Sequence, residues 1–114
     1  MASQRDTLDF ILEQIVQVPN VSFRKMFGEF AIYVDGKVVA FLCDDKLFLK
    51  PTKAGLEFIV NVQEGFPYPG AKPHFFISGE LWDDSFWLTR LFIITSKELL
   101  PSVKKPKKIK TKSS

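Results

Sequence analysis

The chain has a single cysteine, Cys43, and a single histidine, His74, and this scarcity closes several possibilities at once. One cysteine cannot form an intramolecular disulfide, so a reducing, cytoplasmic setting is the expectation. A zinc site, with its usual four protein ligands or three plus water, needs more Cys and His than are present. No apolar run approaches the roughly 18 residues of a membrane-spanning helix. The N-terminus, MASQRDTLDF, carries acidic residues and no continuous apolar stretch, so it does not read as a secretory signal. There is no internal repeat.

What is present points to a packed core. Of 114 residues 46% are hydrophobic, among them twelve Phe and two Trp, enough for one domain without disulfides or metals. The net charge of +3 is unevenly spread. Lys104, Lys105, Lys107, Lys108, Lys110 and Lys112 all follow residue 103, whereas the preceding part holds ten Lys and Arg against thirteen Asp and Glu. The basic character therefore belongs to an appendage. Residues 1–100 are expected to form the domain, and residues 101–114 a disordered Lys-rich tail that cannot pack. The six tail lysines are candidates for weak, sequence-blind, salt-sensitive contact with nucleic acid phosphates; the competing reading is a solubilising end.

Hydrophobic spacing organises the rest. Leu8, Ile11, Leu12, Ile15 and Val16 follow helical periodicity, predicting a helix over 4–17 with Ser3 as its cap and Val18-Pro19-Asn20 as its stop. The segment Arg24–Thr52 punctuates itself into three antiparallel strands after a connecting stretch at 21–27. Phe30, Ile32 and Val34 alternate before Asp35-Gly36, a two-residue hairpin signal. Lys37–Cys43 returns with apolar residues on both faces, the pattern of a central or doubly covered strand. Asp44-Asp45 turns the chain into Lys46–Lys50. Thr52 caps a second helix extending to about Gln63, which Gly55 weakens. Gly65–Pro73 holds three prolines and two glycines and reads as an extended loop whose Phe66 and Tyr68 pack down. His74–Ser78 is a short strand that Gly79–Trp82 either continues or ends in a turn. Asp83-Asp84-Ser85 supplies caps for a last helix over 84–99, although Phe92-Ile-Ile-Thr is β-prone. The expected architecture is α+β: two layers, a mainly antiparallel sheet packed by helices, in the order α-β-β-β-α-β(-β)-α.

Three pieces carry a family likeness: Arg24-Lys25-Met26-Phe27-Gly28, Ile32-Tyr33-Val34-Asp35-Gly36 and Leu47-Phe48-Leu49-Lys50. In this order, followed by Lys72-Pro-His-Phe-Phe and a closing helix from Leu81, they resemble the N-terminal domain of the TfoX/Sxy family of bacterial competence regulators. The resemblance implies a small antiparallel sheet packed by helices and no known catalytic activity. It also implies a regulatory role in DNA-uptake gene expression alongside a transcription activator, a role in which full-length members carry a second helical domain that is not expected in this sequence.

The chemistry-bearing residues support no catalytic, cofactor or metal site. Asp44-Asp45 and Asp35 read as turn formers, because a Ca²⁺ loop needs six or more spaced oxygen ligands. Cys43 and His74 are the one nucleophile pair the composition allows, but no orienting group or nucleophile signature accompanies them. Met26 and Phe27 read as core and Gly28 as a bulge or close-approach residue. A non-enzymatic interaction module follows, with a protein partner or homodimer, DNA reached through the tail or a partner, and no membrane or small-molecule substrate. Its candidate contact residues are Arg24, Lys25, Phe66, Tyr68, Phe86 and Trp87.

Overall fold

A computed structural model describes residues 4–99. Its elements are α1 (Arg5–Gln14), β1 (Val21–Met26), β2 (Glu29–Val34), β3 (Lys37–Cys43), β4 (Lys46–Leu49), α2 (Lys53–Ile59), β5 (Gln63–Gly65), β6 (His74–Ile77), a 3₁₀ turn (Gly79–Leu81) and α3 (Ser85–Glu98). The six strands form one antiparallel sheet in the order β1-β2-β3-β4-β6-β5. The α+β expectation is met, and β3 is central as its two apolar faces require.

The meander has four strands rather than three. Val21–Met26, expected as a connection, is the edge strand β1, with five of its six residues exposed. An edge strand with little buried surface carries no alternation for a sequence to reveal. Met26 and Phe27 are accordingly not core: Phe27 is fully exposed and stands with Gly28 in the β1–β2 turn, both at positive φ. Asp35-Gly36 and Asp44-Asp45 have the same positive-φ geometry at the next two hairpins, as two-residue turns demand.

Two helix ends fall earlier than their periodicity suggests. α1 stops at Gln14, where its carbonyl accepts hydrogen bonds from the Ser85 and Thr89 hydroxyls of α3 at 2.6 and 3.1 Å. These satisfy an acceptor the helix end leaves open. The Ser3 cap lies outside the described residues. α2 ends at Ile59 because Val60 turns to φ 71°, ψ −63° and the Asn61 N–H donates to Ile59 O, a γ-turn. That reversal frees Gln63–Gly65 to pair along β6 as a three-residue edge strand instead of extending the helix. Gly79–Trp82 turns rather than continuing β6, and Phe92–Thr95 is helical inside α3.

All three helices contribute to one layer. Leu8 and Ile11 from the first, with Ile15 just past its end, and Leu88, Leu91 and Phe92 from the last, are buried with Ile32, Leu42, Leu47, Leu49 and Ile77 of the sheet. Strand register places Phe30, Ile32, Leu42, Ala40, Leu47 and Leu49 on this face, and Ala31, Tyr33, Phe41, Cys43, Phe48 and Phe76 on the other. Among the described residues no helix covers that second face.

Candidate functional site

The uncovered face is closed in part by the loop between β5 and β6. Its Pro67 is buried, and the Tyr68 ring meets Phe41 edge-on at 6.0 Å between centroids. Between this loop and the β1–β2 turn lies an apolar cleft of about 560 Å³, walled by Met26, Phe27, Val38, Phe41, Pro67 and Tyr68. Glu29 and Cys43 reach its edge. Phe27 stands at its rim with nothing among the described residues covering the ring (105% exposed).

That position is costly twice over. A left-handed backbone penalises a residue with a bulky side chain by roughly 1–2 kcal/mol, and an exposed Phe forgoes the roughly 1.5–3 kcal/mol that burial contributes. Asparagine or glycine would serve the turn better. Folding alone gives Phe27 no use.

Cys43 is 8% exposed, and burial, reinforced by the Glu29 carboxylate, pushes its thiol up to about 11. It is thus protonated near neutrality, the opposite of an activated nucleophile. The register also parts it from His74: the two sit two strands apart and about four residues, on the order of 13 Å, along the sheet. The Cys43–His74 pair does not assemble. Among the described residues no group of three His, Cys, Asp or Glu could hold a metal ion, and no helix is long and apolar enough to cross a membrane.

The other candidate residues fall in three places. Arg24 and Lys25, adjacent on β1, point to opposite faces: Arg24 is opposite Ala31 on the open side and Lys25 opposite Phe30 on the helical side. They do not make one patch. Tyr68 lines the cleft, while Phe66, 64% exposed, borders a shallower hollow with Phe48 and Lys46. Phe86 and Trp87 belong to the helical layer, across the sheet. Phe86 is exposed, but Trp87 stacks on Phe58 at 5.6 Å and supports the α2–α3 contact. Lys104, Lys105, Lys107, Lys108, Lys110 and Lys112 lie outside the described residues. The cleft itself could not be read from the sequence, because Phe27 looked like core and its wall joins residues some forty positions apart.

An antiparallel sheet with three helices behind it and an aromatic loop in front defines a small α+β domain. The family model of the TfoX N-terminal domain matches residues 13–97, and the chain belongs to that family. It is also 40% identical over 113 residues to an uncharacterized 12.7 kDa protein in the trpE 5′ region of Spirochaeta aurantia, a match covering 99% of this chain and 96% of the relative.

Proposed function

We propose that the protein is a non-enzymatic regulatory and interaction module, similar in role to the N-terminal domain of the TfoX/Sxy competence regulators, that works as a two-fold pair of identical chains. The observation that carries this reading is a fully exposed Phe27 beside an apolar cleft of about 560 Å³. A projection and a hollow on one surface are what an isologous contact requires, since each copy offers both. Arg24 on the open face of β1 and Glu29 at the cleft place opposite charges on this same surface. The lone, buried Cys43 suits a reducing cytoplasm.

Phe27→Asn tests the pairing without harming the turn, because Asn tolerates positive φ. Sedimentation of the full chain over a concentration series should give a dimer that the variant converts to monomer, while unfolding stability compared at concentrations where both are monomeric holds or rises by on the order of 1 kcal/mol. A wild-type chain that stays monomeric throughout, or a variant that pairs as tightly, overturns the proposal. The six tail lysines favour a second reading, non-specific association with nucleic acid. It requires that deleting residues 104–114 abolish retention on DNA at low salt.

A further inference from the structure

Residues 60–65 stand between two local structures. In the one observed, α2 stops at Ile59, Val60 takes φ 71°, ψ −63°, and Gln63–Gly65 pairs with β6 as the edge strand β5. The γ-turn at Val60 belongs to the rare, strained class, and a β-branched residue suits a positive φ poorly. Its side chain recovers nothing, being 79% exposed. The sequence, meanwhile, lets the helix run on. No proline interrupts it before Pro67, and Leu56 and Val60, both exposed, would be i and i+4 neighbours in a longer α2. What outweighs the strain is a short contact, since β5 has only three residues and two of them are exposed. That contact turns on Gly65. A β-carbon there would lie 2.8 Å from the ring of buried Phe48, so the absence of a side chain is what lets the strand settle on the open face. Pro67 and Tyr68, two walls of the Phe27 cleft, follow close behind on the same segment.

We propose that residues 60–65 form a two-state switch, in which a strand that builds the cleft exchanges with an added turn of α2 that takes it apart. Wound into helix, residues 60–63 span about 6 Å where extended chain covers about 13 Å. Winding also removes the reversal at Val60, so Gly65 no longer reaches His74 and the loop behind it loses its seat on Phe48. The two forms balance different terms. The strand form covers Phe48 and pairs with β6; the helical form sheds the γ-turn strain and joins Leu56 to Val60. Any occupant of the cleft that needs the Pro67 and Tyr68 walls binds the strand form and draws the population toward it. A second copy as that occupant rests on the pairing reading above, but the exchange itself does not.

The test is chemical-exchange saturation transfer on the ¹³C,¹⁵N-labelled full chain, repeated with Phe27→Asn so that self-association does not enter the result. A minor form at roughly 0.1–10% is expected, with helical Cα shifts at residues 60–63 and exchange limited to residues 60–70 and β6. Two variants push it in opposite directions. Gly65→Ala crowds Phe48 only in the strand form and should raise the minor population about tenfold or more. Val60→Gly relieves the turn and weakens the helix, and should lower it about tenfold. Val60→Gly carries the comparison alone should Gly65→Ala not fold. Exchange absent from both the wild type and Gly65→Ala, a minor form with random-coil shifts at 60–63, exchange spread over α1 and β2, or a population that Val60→Gly leaves unchanged would each overturn the switch. A chain that never pairs leaves the switch standing, and a missing minor form leaves the pairing standing.

Discussion

Gly55 sits in the first turn of α2 and has intrinsically poor helix propensity, yet it is buried there. A β-carbon at this position would lie 2.9 Å from the Thr52 Oγ1 and 3.4 Å from the Phe75 ring. That hydroxyl accepts the Gly55 N–H at 2.9 Å, so the methyl of alanine would press on the helix cap itself. In an open helix Gly→Ala stabilises by about 1 kcal/mol. Here crowding of a packed site, typically about 1–3 kcal/mol, outweighs that gain. Gly55→Ala should therefore lower the urea midpoint, and a raised midpoint would show that Thr52 and Phe75 move aside freely. Phe27 presents the converse case, a side chain whose removal from its turn should cost folding nothing.

At the scale of elements, one carboxylate clasps α2 to α3. Glu98, at the end of α3, accepts the Lys53 and Ala54 N–H groups at 2.9 Å each, while Thr52 takes the next donor in line. The start of α2 thus has its open donors met from two sources. Those backbone hydrogen bonds, from Ala54 first and Lys53 next, hold the Glu98 carboxyl below the usual glutamate range. With the folded value lowered, its stabilisation is complete above the unfolded value of about 4.3 and is lost as pH falls through the folded one. Stability curves of the wild type and Glu98→Gln should be separated at neutral pH and converge in acid. Parallel curves from pH 7 to pH 3 would mean that the charge on Glu98 contributes nothing to the clasp.

Taken whole, the molecule has a covered sheet face and an open one, and Cys43 reports on its integrity. The thiol lies at the edge of the open face, yet it is buried and its ionisation is pushed up to about 11. At pH 8 the thiolate fraction falls about 100-fold below that of an ordinary cysteine. A disulfide probe should therefore react with the native protein at least about 100-fold more slowly than with urea-unfolded chain. Comparable rates would place the thiol in solvent and undo the packing described for β3. The same division into two faces separates the candidate contacts, with Tyr68 on the open side and Phe86 and Trp87 behind the sheet.

Local signals determined a large part of this architecture. Asp35-Gly36 and Asp44-Asp45 set two hairpins because few residue pairs adopt positive φ cheaply. The two-sided apolar pattern of Lys37–Cys43 placed that strand in the sheet interior, and Asp84 marked the start of α3. The motifs around Met26-Phe27-Gly28 identified the family. What depended on distant partners was not legible. β1 is exposed along nearly its whole length and becomes a strand only by pairing with β2. α2 ends where β5 finds β6, not where its apolar spacing fades. The cleft joins residues from strands and a loop far apart in the chain. Periodicity records which residues are buried, but the side from which they are buried, and what is left open on the other, are set when helices and loop choose their faces of the sheet.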